Sequence, residues 1–238
     1  MDIDKIFSKA PTSFFHFLSK QEKEYFLNRM EMRTYKKGDY ICRTGETPAG
    51  LFCMMSGKAK IFRVGPGGRE HIFRLVKPTE LIGYAALFAE QVYGASASAI
   101  EDSSAAFIER ETFFKALHNR NELYLAILKS LATELGFLYF RTMTLTQKQM
   151  PGRLSETLLF LRDNYGFESD GVTLKVRISR EEIANMSNMS TSNAIRTLSS
   201  FARKKLIGVE GKNIQLLDIE HLEEISKEDR RKPARKNT

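Results

Sequence analysis

The sequence predicts an α+β protein: an antiparallel β jelly roll, then a long helix, then a winged helix-turn-helix. Three observations carry that expectation. From Arg33 to Arg110 short alternating segments are punctuated by glycine and proline, the pattern of a compact antiparallel barrel. From Asn121 to Lys148 leucines recur at intervals of three and four, the spacing of one helical face. Beyond Met150-Pro151-Gly152, two short helical segments flank a tight SNM turn and are followed by two strand-like runs around Gly211-Lys212.

Taken in order, residues 12–32 (TSFFHFLSKQEKEYFLNRMEM) place Phe15, Leu18, Phe26 and Met30 at helical spacing, so short helices are expected there. The segments GDYICR, GLFCMMSGKAKIFRV, REHIFRLV, ASASAI and SAAFIE read as strands. They are broken at Gly45, Ser56-Gly57, Gly65-Pro66-Gly67-Gly68 and Lys77-Pro78. The glycines at 65, 67 and 68 could suggest a phosphate cradle, but no helix follows them, so a hairpin tip is expected. Cys42 and Cys53 fall in strands and are expected to be buried thiols. Glu111 to His118 reads as a short helix leading into the long one.

Leu128, Leu131, Leu135, Leu138, Thr142 and Leu145 form the a/d seam of a heptad repeat and predict a homodimer joined along this helix. The alternative is a core helix packed within its own subunit. Phe137, Tyr139 and Phe140 make a second apolar face. Met150-Pro151-Gly152 is expected to end the helix and to mark a domain boundary. Beyond it Leu154, Leu158 and Leu161 share a helical face, and VTLKVRI reads as a strand. Ser179 and Glu182 form a capping box for REEIANMS, and a second helix runs from Ser190 or Thr191 to about Lys205. The organisation expected is a sensor barrel over 1–120, a dimerisation helix over 121–149, a winged helix-turn-helix over 150–219 and a basic, unstructured tail over 220–238.

A chain of 238 residues is long enough for two domains and a sizeable core. No unbroken apolar run approaches ~18 residues, and the opening MDIDKIFSKAP lacks the basic and apolar regions of a signal peptide. A cytoplasmic protein with no membrane partner is therefore expected. Two cysteines cannot build a disulfide framework. The net charge of +8 and pI of 9.4 favour a polyanionic partner such as nucleic acid. His16, His71, His118 and His221 are scattered, and there is no HExxH or GxSxG, so an enzyme is not expected.

The order barrel, long helix, breaker, helix, strand, helix-turn-helix and wing resembles the family of the cyclic-AMP receptor protein and the fumarate-nitrate regulator (CRP/FNR). The resemblance spans about Ser13 to Ile219 and rests on KKGDYICRTGE, LFCMMSGKAKIF, ELIGYAALF, PGRLSETLLFL and ISREEIANMSNMSTSNAIRTLSSFARKKLI. It implies a homodimeric transcription regulator whose barrel senses an effector, with RNA polymerase as a protein partner. At the effector site the carry-over fails. Tyr84 stands where cyclic-AMP-binding members have a carboxylate for the ribose. Gly94 and Ala95 stand in place of the arginine and serine at the phosphate, and Leu138 and Tyr139 replace the residues that reach the base. A buried phosphate would have no counter-ion, so cyclic AMP is not expected. An iron-sulfur cluster is not expected either, since the amino terminus has no cysteine. Met54, His71, Tyr84, Tyr93, Phe137 and Tyr139 are expected to line an apolar, aromatic effector pocket, and family resemblance makes haem with nitric oxide the leading effector.

In the second helix of the motif, Ala194, Leu198 and Phe201 are expected to pack inward, leaving a polar face. Thr191, Ser192, Asn193 and Arg196 lie near its amino terminus, where such helices enter the major groove of DNA. The resemblance assigns Arg196 to guanine, with Asn193 suited to adenine. Ser179, Arg180, Ser190, Lys205 and Lys212 are expected at phosphates, and the operator is expected to be an inverted repeat.

Overall fold

The computed structural model describes residues 18–227. Contacts divide the chain at Leu135/Gly136, inside the long helix and not at Met150, where the sequence reading places the boundary.

The first unit opens with helix α1 (Lys20–Leu27), held by a capping box in which Ser19 and Glu22 bond each other's backbone N–H. The expected helical stretch ends there. Residues Glu31–Tyr35 form strand β1, because EMRTY alternates and pairs with a strand far along the chain. Phe15 and the residues before Leu18 lie outside the described part. Then come β2 (Tyr40–Cys42), β3 (Gly50–Ser56), β4 (Ala59–Val64), β5 (Glu70–Val76), β6 (Leu81–Ile82), the short helix α2 (Tyr84–Ala89), β7 (Ser96–Ala99) and β8 (Ser103–Glu109).

The eight strands form two four-stranded antiparallel sheets, ordered β1-β8-β3-β6 and β2-β7-β4-β5. This is the jelly-roll arrangement expected. Gly65 to Gly68 turn the β4–β5 hairpin, with the Gly65 N–H on the Arg69 carbonyl at 2.8 Å. Strand β3 reads as a continuous apolar run because both of its faces are covered. Phe52 and Met54 pack between the sheets with Ala59, Val76 and Ala97. Leu51, Cys53 and Met55 face a second core with Phe26, Leu87, Phe113 and Leu117. Cys42 and Cys53 are buried free thiols, and burial raises Cys42 to about 11.

Helix α3 (Arg110–Leu117) follows, and then α4 (Asn121–Gln147), which is continuous over the stretch expected. In the first unit Leu123 and Ile127 anchor α4 to the helix-side core. By length and composition alone α4 is apolar enough to cross a membrane, although no unbroken apolar run is that long.

In the second unit Met150–Tyr165 forms α5, with Pro151 in its first turn. The expected breaker is therefore also a helix start, since proline lacks an N–H that the first turn would leave unpaired anyway. VTLKVRI makes only isolated bridges, Phe167 to Leu174 and Thr173 to Gln215, so the expected strand is corrected to an irregular segment. Asp170 fixes the preceding turn by accepting from Val172 and Thr173, which holds its carboxyl below the usual range. Helices α6 (Arg180–Met186) and α7 (Thr191–Arg203) and strands β9 (Ile207–Glu210) and β10 (Asn213–Leu216) follow as expected.

The tail expectation is corrected over its first part. Ile219–Lys227 is helix α8, and its Leu222 and Ile225 are buried. The amphipathic spacing of IEHLEEISK is obscured in the sequence by the charged residues within it. The basic run from Arg230 lies outside the described residues.

Candidate nucleic-acid interface

The second unit is built to present α7. Ala194, Leu198 and Phe201 are buried at 0%, 2% and 3% exposure, so one face of that helix is fixed against the core as expected. Ser179 and Glu182 close the capping box at the start of α6. The Ser190 hydroxyl accepts from the Asn193 N–H at 3.3 Å and caps α7. Ser179 and Ser190, expected at phosphates, thus already serve as helix caps.

The turn between the helices is held from below. Asn188 has φ +49, a left-handed conformation that asparagine tolerates better than most residues. Its carbonyl accepts from Arg153 at 2.9 Å, and Ser187 donates to the Thr157 hydroxyl at 2.9 Å. From α4, the buried Arg141 donates to the Met186 carbonyl at 2.7 Å, and its guanidinium lies 5.8 Å from the Phe137 ring. Burial pushes the Arg141 pKa down, since desolvation disfavours the cation. Arg141 and Arg153 are not singled out by the sequence because each bonds a carbonyl, 45 and 35 residues away respectively, that only packing brings near.

The other face of α7 is open. Thr191, Ser192, Arg196, Ser199 and Arg203 are exposed, and Asn193 is half-buried at its edge. Among the described residues Arg196 makes no ion pair or hydrogen bond. Ser192 shares a 3.2 Å contact with Ser190. Arg180, expected at a phosphate, instead donates to the Gly211 carbonyl at 2.8 Å and ties α6 to the wing turn. Lys205 is exposed with φ +58, directly after α7, and Lys212 is exposed on the wing turn.

The proposed effector residues are dispersed. Met54 and Tyr93 lie between the two sheets, Tyr84 lies in the helix-side core, and His71 belongs to neither. His71 is half-buried, its ring edge-on to Phe73 at 5.2 Å. Tyr84 donates to Glu134 of α4 at 2.7 Å, and Glu134 also faces Arg74 at 3.1 Å. Burial beside Glu134 raises the Tyr84 phenol to about 12. Gly83, at φ +88, precedes Tyr84 where a Cβ would come within 2.9 Å of the Tyr93 ring. Phe137 and Tyr139 belong to the second unit, where Phe137 stacks on Phe160 at 4.9 Å and Tyr139 is 68% exposed. Among the described residues no group of three or more metal-ligating side chains comes together.

Comparison with known proteins assigns both units. Residues 32–120 match the cyclic nucleotide-binding domain, and residues 152–225 match the Crp-like helix-turn-helix domain. The chain is 28% identical over 190 residues to the CRP-like cAMP-activated global transcriptional regulator of Mycobacterium tuberculosis, covering 79% of this chain and 84% of that protein. It is 26% identical over 189 residues to the transcriptional activator protein anr of Pseudomonas aeruginosa, covering 78% and 76%. In fold it is similar to FixK2 from Bradyrhizobium japonicum, with a TM-score of 0.74 at 20% identity over 82% of this chain and 96% of that one. With a cyclic nucleotide-binding domain followed by a Crp-like reading head, the chain belongs to the CRP/FNR family of DNA-binding transcription regulators, which are not enzymes.

Proposed function

We propose that this protein is a homodimeric, sequence-specific regulator that binds an inverted repeat and answers to an effector other than cyclic AMP. The observation that carries the reading is the open face of α7, where Arg196 extends from a helix whose opposite side is locked in the core. A guanidinium with no internal acceptor is matched to a guanine edge. Asn193 stands beside it for a neighbouring adenine, and Lys205 and Lys212 are placed for phosphates, which set register.

Dimerisation is supported by the exposed apolar stripe of α4. Leu128 is 62% exposed, Leu135 48% and Leu138 38%, and Thr142 is open beside them. Leu131 and Leu145 are partly covered, while Tyr124, four residues before Leu128 and 43% exposed, extends the seam at its amino-terminal end. Two such stripes pairing would remove that surface from water. Lys129 and Glu134 sit within the same helix, and charged side chains of this kind fit a helix in water better than one in lipid. We read the protein as cytoplasmic, with RNA polymerase as its protein partner.

Against cyclic AMP stand Gly94 and Ala95 at the positions of the phosphate-binding pair, and the Tyr84 hydroxyl already engaged by Glu134. The test is selection of duplexes from a randomised library, followed by affinity and sedimentation measurements with and without cyclic AMP. A two-fold repeat, a dimer and no response to the nucleotide are expected. A monomer on DNA, or binding that requires cyclic AMP, overturns the corresponding part.

A further inference from the structure

The open face of α7 carries one residue that the polar reading leaves out. Ile195 is 46% exposed, and it stands among Ser192, Arg196 and Ser199 on the stripe opposite Ala194, Leu198 and Phe201. Positions 192, 195, 196 and 199 follow the i, i+3, i+4, i+7 spacing of a single helical face. A β-branched side chain gives an exposed helix position nothing, since alanine or leucine favours the helix more. The wing also exposes Val209, but Ile195 is the apolar exception on a helix face otherwise made of hydroxyls and a guanidinium.

We infer that Ile195 is a specificity-determining residue that packs against the C5-methyl group of a thymine next to the base pair contacted by Arg196. This rests on the DNA-reading role of α7 proposed above. In the major groove the thymine methyl is the apolar feature a base edge offers, and every other edge presents donors and acceptors. An isoleucine placed over cytosine N4 or adenine N6 would instead strip water from a polar group without replacing its hydrogen bond. The i+1 relation to Arg196 puts the two side chains on adjoining steps, so a guanine and a neighbouring thymine should recur as a unit in each half-site.

The experiment uses the full chain and the duplex recovered by selection. Each thymine is replaced in turn by deoxyuridine, which deletes only the methyl group, and affinity is measured for the wild type, Ile195→Ala and Arg196→Ala. One position per half-site should cost the wild type about fourfold, the loss expected for one buried methyl. The same replacement should leave Ile195→Ala unaffected, and Ile195→Val should retain part of the preference. Alanine favours the helix, so the variant should fold, and its thermal transition checks that it does. If no deoxyuridine position matters, or if the penalty persists in Ile195→Ala, the inference is overturned while an Arg196-dependent repeat leaves the DNA reading standing. If selection returns no common sequence and Arg196→Ala binds like the wild type, the parent reading falls and the inference with it. A change in sedimentation of Ile195→Ala without any methyl dependence would assign the residue to a protein contact instead and also overturns it.

Discussion

Arg74 on β5 and Arg196 on α7 carry the same group into opposite circumstances. The Arg74 side chain is 18% exposed, faces Glu80 and Glu134, and donates to the Leu81 carbonyl at 3.2 Å. Arg196 is exposed and has no such partner among the described residues. The barrel unit uses its charges to complete itself: Arg74, Glu134 and Tyr84 join β5, α4 and α2 in one network. The reading head divides its charges. Arg141 and Arg153 hold the turn of the motif, and Arg196 is left for something outside the chain. A buried cation without an acceptor costs several kcal/mol, about 3–5 when a partner is removed, so the fold spends acceptors on the arginines it encloses. Arg196, exposed and without an internal acceptor among the described residues, is the arginine of this comparison left available to a partner outside the chain.

The contrast is sharpest at Arg196. Arg196→Ala should reduce affinity for the selected repeat by about 1–3 kcal/mol per half-site, with little change in thermal stability. Competition binding against random duplex, together with a melting curve, checks both halves of that statement. A loss of stability comparable to the loss of binding would place Arg196 with the structural arginines.

Arg141 should behave in the opposite way. Arg141→Met keeps the apolar stem against Phe137 but leaves the Met186 carbonyl without this donor, which should destabilise the second unit by about 1–3 kcal/mol. Denaturant unfolding followed by proteolysis of the reading head measures it. An unchanged midpoint would mean that the helix-turn-helix does not depend on α4.

The smallest effect is expected in the barrel. Tyr84→Phe removes one hydrogen bond to Glu134, which retains Arg74, so the cost should be near ~1 kcal/mol at neutral pH. The sign of its pH dependence follows from the raised phenol. The folded state holds the proton more tightly, so this stability is complete below the ordinary value near 10 and is lost as pH rises to about 12. Alkaline unfolding of the wild type should be steeper than that of Tyr84→Phe in this window. Tyr93, also raised by burial, should keep the variant from becoming flat. Equal slopes would show that the Tyr84 proton is not coupled to folding.

Local pattern wrote the elements of this protein. The jelly-roll strands, the hairpin at Gly65–Gly68, the span of α4, the capping box at Ser179 and the inward face of α7 all follow from periodicity and turn chemistry, which act within a few residues. What failed was equally instructive. VTLKVRI alternates like a strand but finds only isolated bridges, and Glu31 and Met32 fall within the stretch expected to be helical although they begin a strand whose partner is β8. Strand identity depends on a neighbour that local spacing does not name.

The residues expected around one effector show the same limit. Met54, Tyr84 and Tyr93 are all apolar or aromatic, yet Met54 and Tyr93 share the core between the sheets while Tyr84, after the turn at Gly83, joins the helix-side core. The sequence alone settled most of the helices and strands and the position of the helix-turn-helix, because those properties are carried by adjacent side chains. Only the tertiary structure decided which polar groups are satisfied within the chain and which are not, because a hydrogen-bond partner 45 or 50 residues away is fixed by packing and not by spacing.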